Sequence, residues 1–107
     1  MAAPKAESAR AETSTRLLVE GELTIYTAAE NKPKLLSALK APTTEFDLSL
    51  VTEIDTAGLQ LLLLVKREAR TAGIELSFVG HSSAVIDCFD LCDVGSVFGD
   101  PIVLANI

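Results

Sequence analysis

Residues 45–70, EFDLSLVTEIDTAGLQLLLLVKREAR, run from a short apolar strand through a tight corner into a long helix. An apolar residue at every second position from 46 to 50 predicts a half-buried strand that ends near Val51. Neither Gly nor Pro interrupts positions 59–72, which consist mostly of strong helix formers. The stretch therefore predicts a strand, a corner at residues 55–58 (DTAG) and a helix.

The corner carries the residues that point to a function. At a helix start the first amide N–H groups lack intrahelical partners, so a side-chain oxygen of Asp55 or Thr56 can accept from one of them. The same N–H groups and the positive end of the helix dipole would favour a phosphoryl group on the hydroxyl of Thr56. Gly58 has no side chain and would let a partner's backbone or a phosphate approach closely. Thr56 is thus either a structural N-cap or a modifiable site that faces a partner.

The helix after the corner has more leucines than one buried face requires. Leu59 and Leu63 lie one turn apart and share a flank with Lys66 and Arg70. This arrangement predicts an apolar surface patch, rimmed by cations, beside Thr56. The alternative is a helix buried on a wide arc beneath a neighbouring helix.

Length and charge restrict the classes of partner. The chain of 107 residues is long enough for one domain with its own core, which we place at residues 15–107 after a disordered tail at 1–14. A net charge of −6 argues against nucleic acid and against an anionic membrane surface. We therefore expect a protein partner.

No stretch approaches the roughly 20 apolar residues that a membrane span needs, and the N-terminus lacks the apolar run of a secretory signal. These features predict a cytoplasmic protein with no direct membrane insertion. Cys88 and Cys92 lack the further ligands of a zinc site, and His81 has no nucleophile beside it. We find no phosphate-binding loop and no paired carboxylates, so we expect no catalytic residue, no metal, no cofactor and no enzymatic activity.

Strands and helices alternate along the chain, which predicts an α/β fold with helices packed on a mixed sheet. The remaining predicted elements are a bent strand or hairpin split at Gly21, a helix that starts near Asn31 or is kinked at Pro33, a strand over 74–78 and a helix that begins near Ser83. Residues 102–104 close the chain either as a short strand or as packing against the last helix.

A strand, then Asp-(Ser/Thr)-x-Gly-Leu, a Leu-rich helix, a Gly-ended turn and another strand resemble the STAS domain of anti-sigma factor antagonists. The resemblance covers residues 15–105 and includes the Gly21-Glu22-Leu23 turn and the Ser83-Ala84-Val85 helix start. It implies the STAS fold, a mixed β-sheet with a single layer of helices mainly on one face.

The resemblance also implies roles for single residues. In that family the hydroxyl residue after the Asp, here Thr56, is phosphorylated by a partner serine/threonine kinase. Many antagonists have Asp after Gly-Glu-Leu near the phosphorylated corner, where this chain has Thr24. The predicted partner-binding residues are Thr24, Asp55, Thr56, Ala57, Gly58, Leu59, Leu63 and Lys66.

Three functions remain open on the sequence. The first is a phosphorylation-controlled binding module similar to anti-sigma factor antagonists, whose partner is an anti-sigma factor or switch kinase. The second is a STAS regulatory subunit of an ABC-type phospholipid transporter, because the similar subunit of those systems also carries Asp-Thr-x-Gly-Leu. The third is a STAS adaptor of a chemotaxis or two-component signalling complex.

Overall fold

A computed structural model of the chain describes residues 14–92, in which three strands alternate with three helices. Of the predicted tail at 1–14, only Ser14 is described, and it is the first residue of a strand. The predicted closing segment at 102–104 lies outside the described residues. The elements are β1 (Ser14–Leu23), α1 (Ala28–Ser37), β2 (Thr43–Ile54), α2 (Thr56–Thr71), β3 (Glu75–Val79) and α3 (Ser83–Cys92).

The three strands form one sheet in the order β1-β2-β3, with β2 in the centre. Both pairings are parallel, and Phe46 of β2 lies between Leu17 of β1 and Phe78 of β3. Parallel neighbours need a crossover connection, which α1 and α2 supply. The α/β architecture is confirmed, although within residues 14–92 the sheet is wholly parallel where a mixed sheet was expected.

One face of the sheet carries the core. Along β2, Thr44, Phe46 and Leu48 are buried, whereas the residues between them are partly exposed. The rings of Phe46 and Phe78 lie 6.0 Å apart between their centroids, so the two strands share one apolar layer. Buried residues of all three helices, among them Leu35, Leu62 and Phe89, join these strand residues in one apolar cluster, in agreement with the predicted single layer of helices.

β2 does not keep its alternation to the end. Leu50 is largely exposed and Val51 is buried, and the strand continues to Ile54 rather than ending near Val51. The prediction that Leu50 points inward is therefore wrong. The neighbouring strand β1 is also irregular, with register shifts on either side of Gly21, which has a φ of 83°. Such irregularities bend the strands and re-aim their side chains, and they confirm the bent-strand interpretation of β1.

α1 begins at Ala28, three residues before the predicted start at Asn31, and Pro33 lies inside it. The amide of Asn31 donates to the carbonyl of Thr27 at 2.9 Å, so the first turn forms ahead of the proline. Proline has no N–H to donate to the carbonyl of Ala29, four residues earlier. Both residues are exposed, so water can solvate that carbonyl instead.

α2 is the longest helix and buries a broad stripe. Leu59 is only 4% exposed and belongs to the core, so its predicted place in a surface patch is wrong and the wide-arc alternative holds at this position. Leu63 is partly buried and packs against the same core. The ammonium of Lys66 donates to the carbonyl of Leu76 and lies 5.4 Å from the ring centroid of Phe78, which ties α2 to β3.

α3 follows a capped turn. The hydroxyl of Ser82 accepts from the amide of Val85 at 3.3 Å, and the buried ring of His81 meets Phe89 edge-on at 5.6 Å. His81 therefore lies in the loop between β3 and α3, as a buried residue at the margin of the core.

Truncating the two leucines of α2 tests how the helix is buried. Leu59→Ala should lower the free energy of unfolding by about 2–5 kcal/mol, because it empties a fully packed site. Leu63→Ala should cost clearly less, since its side chain is only partly buried. Urea unfolding of both variants measures the difference, and equal losses would contradict this description of the helix.

Candidate functional site

Asp55 joins two parts of the corner through its carboxylate. It is the N-cap of α2, where its Oδ1 accepts from the amide of Gly58 at 3.0 Å. Its Oδ2 accepts from the amide of Ile25, in the loop between β1 and α1, also at 3.0 Å. These hydrogen bonds, first from Ile25 and then from Gly58, hold the pKa of Asp55 below its ordinary value. The ionised carboxylate thus fastens the β1–α1 loop to the start of α2.

Thr56 occupies the first position of α2 and is exposed. Of the two capping candidates, the structure selects Asp55, so the hydroxyl of Thr56 is not needed as the cap. The side chain of Asp55 already takes the amide of Gly58, and its carbonyl takes the amide of Leu59 at 2.9 Å. An anion on Thr56 would therefore share the helix start with an ionised carboxylate.

Gly58 is required by the packing of this chain on itself. It is buried, and a Cβ built on it would lie 2.6 Å from the carbonyl carbon and 2.9 Å from the Cβ of Leu23, and closer still to the carbonyl oxygen. Non-bonded atoms do not approach a Cβ this closely in folded proteins. The end of β1 therefore occupies the space that a side chain would need. The approach of a partner or a phosphate to Gly58 is not needed to explain the glycine, and it stays a prediction.

Thr24 builds a turn and is buried, at 3% exposure. Its Oγ1 accepts from the amide of Tyr26 at 3.3 Å, and its amide donates to Oγ1 of Thr27 at 3.0 Å. The Thr27 hydroxyl in turn donates to the carbonyl of Glu22 at 2.9 Å. Because its side chain is turned inward and bonded within the loop, Thr24 shapes this turn, and its contact with a partner stays a prediction.

The turn exposes the two residues between these threonines. Ile25 is 68% exposed and Tyr26 is 90% exposed. Since the amide of Ile25 bonds to Asp55, this apolar pair is held beside the corner. The sequence does not reveal this pair, because the apolar residues at 22–26 favour the second half of the bent strand or hairpin split at Gly21. The available signal is a threonine on each side, a residue that favours local turns.

The other predicted site residues are spread along α2. Ala57 is partly buried within the first turn. Leu63 and Lys66 lie about two and three turns beyond Thr56, so they belong to a different part of the helix surface. The structure therefore brings Asp55, Thr56 and Ala57 together with the loop residues Ile25 and Tyr26.

The described residues supply little other chemistry. Within residues 14–92 no group of three or more His, Cys, Asp or Glu side chains is placed to hold a metal ion. Burial raises the pKa of the Cys88 thiol, which keeps it protonated. In the same part of the chain, no helix combines the length and apolar character that crossing a membrane requires.

Asp55→Asn tests the charge at the cap. The amide variant keeps an acceptor oxygen but loses the carboxylate, so its melting temperature at pH 7 should be lower than that of the wild type. Folding lowers the pKa of this carboxyl, so its charge stabilises the protein at pH values above the pKa of the unfolded chain. This stabilisation is lost as the pH falls through the lower pKa of the folded protein. The difference in melting temperature should therefore shrink below about pH 4.

Thermal unfolding followed by circular dichroism from pH 2 to pH 7 measures this difference. Arg16 also lowers the pKa of Asp47. Because Asp47 is present in both proteins, its contribution cancels in the difference between their melting temperatures. A difference that is constant across the range would mean that the charge of Asp55 does not stabilise the corner.

Comparison with known proteins places the fold. No curated protein sequence matches this chain. The solved structure of the anti-sigma factor antagonist SpoIIAA in its unphosphorylated form is similar, with a TM-score of 0.65 and 17% sequence identity over 85% of this chain and 80% of that one. At this identity the likeness concerns the fold.

The sequence itself matches a family. The family model described as "Mlab, STAS domain" covers residues 7–103, which is nearly the whole chain. The resemblance drawn from the strand, the Asp-Thr-x-Gly-Leu corner and the helix is thereby confirmed, and the chain belongs to the STAS domain family.

Proposed function

We propose that this chain is a phosphorylation-controlled protein-binding module, in which Thr56 is the phospho-acceptor for a partner serine/threonine kinase. The observation that carries the proposal is that the capping residue and the exposed hydroxyl are two different, adjacent residues. Asp55 supplies the helix cap, and Thr56, at the next position, is exposed with its hydroxyl free of that task. A kinase can modify such a hydroxyl without first breaking the cap.

A docking surface next to Thr56 supports the proposal. Ile25 and Tyr26 present exposed apolar area, and Asp55 holds their loop against the start of α2. Tyr in particular buries a large apolar area at little conformational cost and retains a polar hydroxyl, which makes it common in interfaces. A partner that covers this pair would also cover Thr56.

The chemistry belongs to the kinase. The hydroxyl oxygen of Thr56 attacks the γ-phosphorus of ATP, the bond to the β-phosphate oxygen breaks, and ADP leaves. The kinase supplies ATP, Mg²⁺ and the base that takes the hydroxyl proton. This chain supplies the acceptor and the surface that positions it, and it is not itself an enzyme.

Phosphorylation would then release the partner. A phosphothreonine adds about −1.5 to −2 charges beside the ionised Asp55, in a chain whose net charge is already −6. The two amides nearest the side chain of Asp55 are already bonded to it, so less of the helix start remains to offset the new charge. A partner that packed against the bare hydroxyl would have to bury a dianion, which costs several kcal/mol without a dedicated cation.

The STAS family membership and the fold shared with an anti-sigma factor antagonist agree with this proposal. The second candidate is a STAS regulatory subunit of an ABC-type phospholipid transporter, which the residues Asp55-Thr56-Ala57-Gly58-Leu59 also fit. In that case Thr56 would contact the partner without being phosphorylated. The adaptor of a chemotaxis or two-component complex differs from both by its partner, a histidine kinase complex.

Thr56→Glu should fold normally and bind the partner about a hundredfold more weakly, because the added carboxylate mimics part of the phosphate charge. Thr56→Ala should bind as the wild type does and resist regulation. Thr43→Glu is the matched control, since Thr43 is exposed and lies at the opposite end of β2. Tagged proteins purified from the native cells identify the partner, and titration calorimetry gives the dissociation constants.

Mass spectrometry of the same wild-type protein should find a phosphoryl group on the peptide that contains Thr56. If Thr56→Glu bound as tightly as Thr43→Glu, and no phosphate were found on Thr56 in cells, the switch would be refuted. The transporter-subunit function would then be favoured.

A further inference from the structure

The outward side of α2 carries a second stripe at helical spacing, distinct from its buried one. Gln60, Leu63, Leu64 and Arg67 follow the positions i, i+3, i+4 and i+7, and Arg70 extends the stripe toward the end of the helix. Leu63 and Leu64 are partly buried, whereas Gln60, Arg67 and Arg70 are exposed. The stripe therefore has an apolar floor and a polar, cationic rim.

These side chains enclose a shallow depression of about 360 Å³. A second depression of about 180 Å³ adjoins it toward β3 and shares two residues with it, Lys66 and Arg70. Lys66 is fixed in place by its bonds to β3, so the wall between the two depressions is held by the sheet. We call the larger depression the α2 groove; it is lined by Gln60, Leu63, Leu64, Lys66, Arg67 and Arg70.

The α2 groove is cationic in an acidic protein. Three cations and no carboxylate line it, although the whole chain carries a net charge of −6. Among residues 14–92, the ion pairs involve Arg16 and Lys34, and neither Arg67 nor Arg70 is paired with a carboxylate. Two exposed guanidinium groups are therefore available to carboxylates of another molecule, with which Arg forms bidentate bonds.

We propose that the α2 groove docks an amphipathic acidic helix of a partner protein. A helix laid along α2 would set its apolar residues on Leu63 and Leu64 and its Asp or Glu side chains against Arg67 and Arg70. This inference rests on the proposed protein-binding function and adds the chemistry of the partner; it does not require phosphorylation of Thr56, which lies about two turns from Leu63.

Other occupants fit the charges less well. A second copy that paired symmetrically through this face would bring two cationic rims together, and neither rim holds a carboxylate to pair with Arg67 and Arg70 of the other. Nucleic acid is disfavoured because the net charge of the chain is of the same sign as a phosphate backbone. A helical segment with both apolar and acidic residues matches the floor and the rim together.

The probe is a synthetic acidic amphipathic helical peptide, with Leu on one face and Glu along both flanks, compared with a scrambled peptide of the same composition. Titrated into the isotope-labelled full chain, the helical peptide should shift the NMR signals of Leu63, Leu64 and Arg67, and the scrambled peptide should not. The double variant R67E/R70E should lower its affinity by about tenfold or more.

K32E/K40E is the matched control, because both lysines are exposed, lie away from the α2 groove and give the same change in net charge. It should keep the affinity within about twofold. Thr56→Glu should also bind the peptide, so failure of the phosphorylation switch and failure of this docking site can be told apart.

Four results would overturn the proposal. Two concern the peptide: the scrambled peptide binds equally well, or R67E/R70E binds the helical peptide as tightly as the wild type does. The third is displacement of the peptide by a single-stranded oligonucleotide of equal charge. The fourth is a dimer, seen in sedimentation, that dissociates in R67E/R70E. The last two would assign the α2 groove to non-specific anion binding and to a second copy of the chain, respectively.

Discussion

The start of α2 lies against the end of β1, and the candidate site depends on this one approach. The carbonyl of Leu23 accepts from the amide of Asp55 at 3.2 Å, and the same residue fills the space next to Gly58. Only glycine allows a helix to pass so near a strand carbonyl. The corner at 55–58 is therefore fixed by the protein's own backbone on one side and is open on the other.

This approach explains why the open side is suited to a switch. With the helix start fixed, the carboxylate of Asp55 can reach both Gly58 in α2 and Ile25 in the preceding loop. The loop then holds Ile25 and Tyr26 outward, and Thr56 lies beside them without being needed as a cap. Further along the same helix, the α2 groove has a different character, cationic and only partly apolar. A partner can thus meet one helix at two chemically distinct places.

The sequence was sufficient for the strand, the corner and the helix, because the alternation at 46–50 and the unbroken helix formers after Gly58 have few alternative structures. It was not sufficient where the decision lies in the packing of distant segments. The burial of Leu59 depends on how α2 sits on the sheet, and the role of Gly58 depends on Leu23, 35 positions away. Thr24 turned inward because its hydroxyl finds partners within its own loop, a choice that strand-like spacing cannot reveal.

The most direct test of this account is the stability of Gly58→Ala. In a helix that is free on that side, Gly→Ala raises the free energy of unfolding by about 0.5–1 kcal/mol. Here the new methyl group would meet the backbone of Leu23, so we predict a loss of about 2 kcal/mol or more in urea unfolding. A variant as stable as the wild type, or more stable, would contradict the claim that the approach of β1 to α2 organises the site.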